Sequence, residues 1–229
     1  MEIFKDIELV DLALLINKKV LVISDLHLGY EEYLRKKGFL IPRFQFKDIK
    51  NRLELILKET KPEIIIITGD LKHEFGTISD QEWRDILSLF DILSEHTKKI
   101  ILIKGNHDTI LNIIAKKRNL KVKDLYKLKD TLILHGDHMV DLNKIKTIII
   151  GHEHPAVMLR KGVRSELYKC FLKGKFKGRN LIVMPSFNSL SIGSDIRKRG
   201  LGPFIKNKDF EVFVVVDDKS YYFGKLKEL

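Results

Sequence analysis

The chain is poor in cysteine and in long apolar runs, and these two shortages exclude several classes of protein. One residue in 229 is cysteine, Cys170, which excludes an internal disulfide framework and a metal site built from several thiolates. No apolar run approaches the ~20 residues that cross a bilayer, and residues 1–6 do not resemble a signal peptide. We therefore expect a cytoplasmic protein without a membrane partner.

Charge is abundant but unevenly distributed along the chain. The net charge is +11, yet residues 1–114 carry 17 Lys and Arg against 19 Asp and Glu. Residues 156–208 alone carry 13 basic and 2 acidic residues, so the excess lies in this stretch. Such a basic segment suits a phosphate-rich partner. A solvated, lysine-rich surface of a heat-adapted protein explains it equally well.

Four short apolar runs end at polar residues or glycine. They cover residues 19–24, 63–68, 99–104 and 147–150, and such β-branched runs are typical of strands buried on both faces. Amphipathic patterns predict helices over residues 46–59 and 79–93, the second of which starts with a Ser79–Glu82 capping box. Strands that alternate with helices predict an α/β architecture with a largely parallel sheet, whose ligands collect at the carboxyl ends of the strands.

The pattern changes after residue 154. Short strand-like pieces at residues 167–172, 181–184, 210–216 and 221–223 are separated by Gly, Lys and Arg, which predicts a second, antiparallel-rich sheet. No linker marks a boundary. We therefore expect a single domain over residues 1–229, with a basic, antiparallel-rich C-terminal part at about residues 156–229.

Histidine, aspartate and asparagine gather in five short segments, most of which follow an apolar run. The segments are Asp25-Leu26-His27, Gly69-Asp70, Gly105-Asn106-His107-Asp108, His135-Gly136-Asp137 and Gly151-His152-Glu153-His154. Imidazole, carboxylate and amide groups are ligands of divalent metals. In an extended chain, residues i and i+2 point to the same side, so Asp25 with His27, and His152 with His154, are each expected to grip a metal. Folding would assemble these segments into one site.

The motifs, in this order, resemble the calcineurin-like metallophosphoesterase superfamily. Its pattern is Asp-x-His, Gly-Asp, Gly-Asn-His-Asp or Glu, a single His and Gly-His-x-His, and the whole series is present between residues 25 and 154. The resemblance implies a four-layer αββα sandwich in which two mixed sheets are flanked by helices. It also implies two divalent metal ions and favours manganese, with iron, zinc or nickel as alternatives.

The resemblance also assigns the ligands residue by residue. One ion would be held by Asp25, His27, Asp70 and His154, and the other by Asp70, Asn106, His135 and His152, with Asp70 as the bridging ligand. Two such ions with a bridging hydroxide leave the site with a net charge of about +1, which attracts a phosphate anion.

Two neighbouring residues are candidates for catalysis. By resemblance, His107 lies beside the substrate phosphate, where it protonates the leaving oxygen or stabilises developing charge. Asp108 is expected to orient His107, or to cap a helix over residues 109–117, or to do both.

A narrower resemblance is to the SbcD-type nucleases that repair DNA double-strand breaks. They carry an extra histidine three residues after the bridging aspartate, where this chain has His73; the alternative is an ordinary loop histidine. The chain is short for the other regions of those nucleases, so we expect a reduced relative. Residues 184–190 and the basic cluster Arg197, Lys198 and Arg199 are candidates for the entrance of the site, where the cluster would contact a phosphate backbone. Otherwise the cluster is solvated surface.

The favoured hypothesis is a metal-dependent phosphoesterase that hydrolyses phosphodiester bonds through a hydroxide bridging two metals. Its partner would be a phosphate-containing substrate, with nucleic acid as a candidate and a DNA nuclease as the corresponding activity. One alternative keeps the chemistry and changes the substrate to a small phosphodiester, a cyclic nucleotide or a phosphomonoester. Another alternative is a non-catalytic interaction module on the same fold.

Overall fold

The computed structural model describes residues 1–162, 164–198 and 200–229, and it is built around two mixed β-sheets. The first sheet contains β1 (Glu2–Phe4), β2 (Ile7–Val10), β3 (Ala13–Ile16), β4 (Val20–Ser24), β5 (Ile64–Thr68), β6 (Lys99–Ile103) and β7 (Val122–Lys123). These strands are adjacent in chain order. β1 to β4 pair antiparallel, whereas β4 to β7 run parallel.

The second sheet comes from the later part of the chain. It contains β8 (Leu125–Leu128), β9 (Thr131–Leu134), β10 (Thr147–Ile150), β11 (Pro155–Lys161), β12 (Arg164–Phe176), β13 (Arg179–Val183), β14 (Ser194–Asp195), β15 (Glu211–Val216) and β16 (Lys219–Lys225). The order is β14-β11-β12-β13-β10-β9-β8, and β15 pairs with β12 and β16. β10 runs parallel to β9 and β13, whereas β12 pairs antiparallel with β11, β13 and β15.

The helices lie between strands of the first sheet. They are α1 (Tyr30–Lys36), α2 (Gln45–Thr60), α3 (Asp80–His96) and α4 (Leu111–Lys116), and a 3₁₀ turn covers Leu226–Glu228. The predicted helices over residues 46–59 and 79–93 are confirmed. The capping box at Ser79 is also present, because its hydroxyl accepts from the backbone N–H of Glu82 while the Glu82 carboxylate accepts from that of Ser79. Within the described residues, no helix combines the length and apolarity needed to cross a bilayer.

The two sheets pack face to face through a shared apolar layer. In β4, Leu21 belongs to a core with Leu53 of α2 and Phe90 of α3, whereas Val22 belongs to a core between the sheets with Ile149 of β10. All five side chains are buried, and burying each contributes roughly 1.5–3 kcal/mol of transfer free energy. The alternation of side chains along β4 therefore fixes helices on one face and the second sheet on the other. The expected α/β fold with two mixed sheets flanked by helices is confirmed.

The predicted parallel strands are all present, but one of them lies in the other sheet. β4, β5 and β6 are neighbours in the first sheet, whereas β10, which precedes His152, pairs with β9 and β13 in the second. Apolar runs show that a strand is buried on both faces but carry no information on its partners. The turns that carry the metal motifs therefore come from both sheets.

Candidate metal centre

The turns after the strands hold their histidines and aspartates in a strained backbone conformation. Asp25, His27, Asp70, His152 and His154 have φ values between 43° and 64°, in the left-handed region that residues other than glycine rarely adopt. The expected extended geometry of the two i, i+2 pairs is therefore wrong. The chain instead turns sharply beyond each strand end and directs both side chains of a pair over the sheet edge. Such strain clusters at functional sites.

One group of donor atoms comes from Asp25, His27 and His154, which each offer an atom within 4.8 Å of the others. His27 Nε2 and His154 Nε2 are 3.2 Å apart, and His154 Nε2 lies 3.4 Å from Asp25 Oδ1. The other carboxylate oxygen, Oδ2, accepts from the Ser24 hydroxyl at 2.5 Å and from the His152 N–H at 3.0 Å. These bonds fix the carboxylate with Oδ1 directed at the imidazole of His154.

A second group comes from Asp70, His135 and His152. His135 Nε2 lies 3.5 Å from Asp70 Oδ2, 3.1 Å from His152 Nδ1 and 2.9 Å from Asn106 Oδ1. Asp70 stands between the two groups, because its Oδ2 is also 3.7 Å from His27 Nε2. The structure thus brings together all the residues predicted as ligands, with Asp70 in the shared position.

Burial and neighbouring charges set the protonation of these groups. Burial raises the pKa of Asp70, but His135 opposes this and holds the pKa well below the usual range of aspartate. Burial, reinforced by His154, lowers the pKa of His27 to about 3. Burial also lowers the pKa of His135, but the carboxylates of Asp70 and Asp25 more than reverse this and raise it to about 9. At neutral pH His27 therefore offers a free lone pair, and metal binding through His135 releases a proton.

Two buried polar atoms of the centre have no hydrogen-bond partner among the described residues. They are Asp25 Oδ1 and His135 Nδ1, which lie 3.5 Å apart. An unsatisfied buried polar group costs about 1–3 kcal/mol, so both atoms are poised for a ligand. Imidazole nitrogens with carboxylate and amide oxygens, and no sulfur, suit manganese, iron, zinc or nickel. The donor set fits the divalent metals that the motifs predict.

Asp108 fastens the site but does not orient His107, contrary to our expectation. Its buried carboxylate accepts hydrogen bonds at 3.0 to 3.3 Å from the backbone N–H groups of Leu71, Lys72 and Gly105. It therefore ties the turn after β5 to the turn after β6. It is not the cap of α4 either, because Ile110 holds that position. Burial, together with the charge of Asp70, raises the pKa of Asp108 to about 6.

His107 is oriented by the backbone instead. Its Nδ1 lies 2.6 Å from the carbonyl oxygen of His73, and because a carbonyl only accepts, Nδ1 must carry a proton. Nε2 is then the ring atom left for a substrate. The backbone N–H of His107 donates to Asp70 Oδ1 at 2.9 Å, so the segment that carries this imidazole is tied to the shared carboxylate.

His73 lies beside the centre. Its backbone N–H donates to the Glu82 carboxylate at 3.1 Å, and its ring stacks on His107 with 5.5 Å between centroids. Nitrogens of His27, His73 and His107 form a further group within 4.8 Å of one another. Burial, together with His107, lowers the pKa of His73 to about 4, so this imidazole is neutral at neutral pH.

A cavity of about 240 Å³ opens onto the imidazoles. It is lined by His27, Tyr30, His73, His107, His154, Asn188 and Ser191. The segment over residues 184–190 therefore folds back to the site, where we expected it to form part of the entrance. Asn188 belongs to this segment, whereas Tyr30 and Ser191 were not candidates from the sequence. For Tyr30 the sequence carries no such signal.

The basic cluster after β14 is not brought to this cavity. The Arg197 guanidinium donates to the Asp195 carboxylate at 2.8 Å and to the carbonyl oxygen of Leu229 at 3.2 Å. Lys198 is exposed. Within the described part of the chain, neither Arg197 nor Lys198 lines the cavity. Arg199 lies outside the described residues. The expected contacts of Arg197 and Lys198 with substrate at the entrance are not supported, because the Arg197 charge is already paired within its own turn.

The segment over residues 184–190 is held in place by buried polar contacts. Lys169 Nζ donates to the carbonyl oxygens of Ser186, at 2.7 Å, and of Asn188. The Ser186 hydroxyl donates to the carbonyl oxygen of Asp25 at 2.7 Å. Burial, aided by the charge of Arg52, lowers the pKa of Lys169 to about 7. The wall of the cavity is thus connected to the turn after β4.

Lys169 is expected to make stability depend on alkaline pH. Between about pH 7 and 10.5 the unfolded chain binds a proton that the folded protein lacks, so the free energy of unfolding should rise with pH. The limit is about 1.4 kcal/mol per pH unit. Urea unfolding from pH 7 to 10 should show this rise in the native protein and a flatter profile in Lys169→Met. Parallel profiles would contradict the burial of the ammonium group.

Gly69→Ala is expected to damage the metal centre as well as the backbone. Gly69 has φ 73°, and a Cβ there would overlap the His135 imidazole, whereas Gly76 has φ 75° and no described atom within 4 Å of its Cβ position. Both alanine variants therefore carry a similar left-handed cost of roughly 1–2 kcal/mol. Urea unfolding should show this cost in Gly76→Ala and a larger loss in Gly69→Ala, where the overlap adds to it, and titration with Zn²⁺ should show weakened binding in Gly69→Ala alone. Equal metal affinities would contradict the contact.

The profile of the calcineurin-like phosphoesterase family matches residues 18–215 of the chain. The chain belongs to this family. The matched range contains every residue of the two donor groups and the segment over residues 184–190, so the family assignment rests on both sheets of the chain.

The individual proteins that the chain resembles share little sequence identity with it. The DNA polymerase II small subunit of Methanocaldococcus jannaschii is 26% identical over 174 residues, which cover 63% of this chain and 29% of that protein. The chain thus spans less than a third of the length of this curated relative. Nuclease MPE of Pseudomonas putida matches with a TM-score of 0.67 and 18% identity over 95% of this chain and 94% of its own. A variant of Vps29 from Entamoeba histolytica has a TM-score of 0.39 and 14% identity, over 90% of this chain and 99% of its own.

Proposed function

We propose that this phosphoesterase is a metal-dependent phosphodiesterase. One observation carries the proposal: two groups of buried and half-buried donor residues lie on either side of the carboxylate of Asp70, and His107 lies beside them on the cavity. Hydrolytic two-metal sites hold their ions ~3.5–4 Å apart and clamp the attacking and leaving oxygens of an in-line displacement. Membership of the calcineurin-like phosphoesterase family supports the same chemistry.

The metal-binding roles follow from the two donor groups. One ion would be held by Asp25, His27, Asp70 and His154, and the other by Asp70, Asn106, His135 and His152. Bound divalent ions would polarise the phosphoryl oxygens and lower the pKa of water at the site. Because the protein supplies only two carboxylates, the occupied site keeps a positive charge toward a phosphodiester.

His107 would supply the proton that the leaving group needs. Its Nδ1 proton is engaged with the carbonyl oxygen of His73, so a proton on Nε2 is the one available for transfer to the leaving oxygen. The ring centroids of His107 and His27 are 5.1 Å apart, which places this proton donor next to a proposed metal ligand.

Nucleic acid is the substrate class that we propose first. The names of two matched proteins support it, since one is a DNA polymerase subunit and the other a nuclease. The position of His73 at the site supports a kinship with the SbcD-type nucleases. The net charge of +11 favours polyanions in general. Because the Arg197 side chain is paired away from the cavity, this net charge would act on nucleic acid by long-range attraction.

A small phosphodiester or cyclic nucleotide is the second candidate, and the size of the cavity favours it. Pockets for drug-sized ligands enclose ~300–1,000 Å³, whereas this cavity has about 240 Å³. That volume accommodates a phosphate with one compact substituent. A polynucleotide would have to extend beyond the cavity over the surface around Tyr30.

The proposal is tested by assaying one preparation against a panel of substrates with Mn²⁺, Zn²⁺, Ni²⁺ and Fe²⁺. The panel contains bis-p-nitrophenyl phosphate, p-nitrophenyl phosphate, cyclic nucleotides, and single- and double-stranded DNA. We expect metal-dependent cleavage of phosphodiesters and a steep decrease of DNA cleavage with salt. A weak salt effect with cleavage of cyclic nucleotides alone would select the second candidate. No hydrolysis with any metal would favour the non-catalytic module.

A further inference from the structure

Asn188 is buried in the wall of the cavity with one polar group unused. Its residue is fully buried and lines the cavity. Its Oδ1 accepts from the backbone N–H of Leu190 at 2.9 Å, its own N–H donates to the Ser186 hydroxyl at 3.2 Å, and its carbonyl oxygen accepts from Lys169 Nζ. Among the described residues, the side-chain Nδ2 has no hydrogen-bond partner.

The bond to Leu190 decides which end of the amide is left free. A backbone N–H can only donate, so the atom that faces it must be the oxygen of the Asn188 side chain. The two N–H bonds of Nδ2 are therefore without a partner among the described residues, on a side chain that belongs to a cavity-lining residue. An amide nitrogen of this kind donates and does not accept, so it is not a ligand for a cation.

The segment that carries this donor is rigidly connected to the metal centre. Lys169 binds two carbonyl oxygens of the segment, and the Ser186 hydroxyl donates to the carbonyl oxygen of Asp25 at 2.7 Å. The Phe187 N–H donates to the carbonyl oxygen of Ser24 at 2.8 Å. The amide is therefore held at a fixed position relative to Asp25. Donors fixed in this way are the ones that stabilise developing negative charge most effectively.

We propose that Asn188 Nδ2 donates a hydrogen bond to an oxygen of the phosphoester group that enters the cavity. This inference rests on the proposed function. His27 and His154 line the same cavity and would face the phosphate through a metal ion, whereas Asn188 would face it with a neutral donor. The two kinds of group would be complementary, because a bound cation and an N–H bond both stabilise an anion.

If Asn188 had only a structural role, loss of Oδ1 would be harmful and loss of the N–H donor alone would not. Asn188→Asp keeps Oδ1 and hence the turn to Leu190, but it removes the donor. Asn188→Ala removes the donor without adding a charge. Asn207→Asp is the matched control, since Asn207 Oδ1 accepts from the N–H two residues later at 3.2 Å in the same way and its side chain is exposed.

The kinetic test uses bis-p-nitrophenyl phosphate with Mn²⁺. Loss of one preorganised donor typically lowers the rate 10²–10³-fold, so we expect about a 10²-fold decrease of kcat/KM in Asn188→Asp and in Asn188→Ala. Metal stoichiometry should stay at the native value in both variants, and Asn207→Asp should keep native kinetics. The urea midpoint should fall in Asn188→Ala, which also loses the hydrogen bond from the Leu190 N–H to Oδ1. Activity within threefold of the native protein in both Asn188 variants would overturn the proposal.

A binding test decides the point without turnover. In the ¹⁵N-labelled, Zn²⁺-loaded protein, the side-chain amide signal of Asn188 is identified by its absence from Asn188→Asp. Addition of inorganic phosphate should shift this signal and leave that of Asn207 in place. No shift at any phosphate concentration would overturn the proposal. If the native protein hydrolyses no phosphoester, the proposed function fails, and the response of this amide to phosphate still decides the assignment of Asn188.

Discussion

Asp70→Asn is expected to lower phosphodiester hydrolysis by at least about 10³-fold and to reduce the number of bound metal ions. Oδ1 of Asp70 accepts from the His107 N–H, while Oδ2 faces His27 and His135. In the variant the oxygen would keep the first contact, so the NH₂ group would replace Oδ2 where both donor groups need an acceptor. Metal ions supply several kcal/mol of transition-state stabilisation in such sites, and each 1.36 kcal/mol is a factor of ten in rate.

Hydrolysis of bis-p-nitrophenyl phosphate and metal content by mass spectrometry check this result. Asp124→Asn is the matched control, because Asp124 is exposed and outside the donor groups. It should keep native activity and metal content. An Asp70→Asn protein that retains two ions and native rates would show that the shared carboxylate is not a ligand.

His107→Gln is expected to slow hydrolysis by about 10²–10⁴-fold when the leaving group is an alkoxide. The glutamine side chain can still reach toward the carbonyl oxygen of His73, but it carries no proton to transfer. A p-nitrophenolate leaves without protonation, so the loss should be much smaller with a nitrophenyl ester. The metal content of the two groups that flank Asp70 should stay native, because His107 belongs only to the further group with His27 and His73.

The comparison requires two substrates that differ only in the leaving group, such as methyl and p-nitrophenyl esters of the same phosphodiester. His138→Gln serves as the control, since its side chain is 59% exposed and pairs with Asp137. Equal losses with both leaving groups would contradict proton donation by His107 and point to charge stabilisation instead.

Sequence patterns predicted the features that depend on residues close together in the chain. Apolar runs predicted β4, β5, β6 and β10, because strands buried on both faces need such runs. The order of the motifs predicted every residue of the two donor groups, and the structure brings these residues together from turns more than a hundred positions apart. Ser79 with Glu82 predicted the start of α3, because that bond pattern involves only neighbouring residues.

The failures concern contacts between distant segments. The place of β10 in the second sheet follows from its pairing with β9 and β13, which periodicity does not encode. Asp108 binds backbone N–H groups across two turns, a role that no spacing indicates. Arg197 forms an ion pair with Asp195, two residues away. The sequence shows the positive charge of Arg197 but not that this charge is already paired and so less available to a substrate. The turn that carries Asn188 is anchored by Lys169, nineteen positions earlier, and by bonds to Ser24 and Asp25, none of which the sequence pattern indicated.

The origin of the donor groups in two sheets has a consequence for synthesis on the ribosome. Chains emerge N-terminus first, and Asp25, His27, Asp70 and Asn106 precede His135, His152 and His154 by up to 129 residues. A nascent chain that ends before residue 135 lacks His135, His152 and His154, and so lacks part of each proposed ligand set. Metal binding by the complete proposed sets would therefore require that β10 and the turn beyond it have left the exit tunnel.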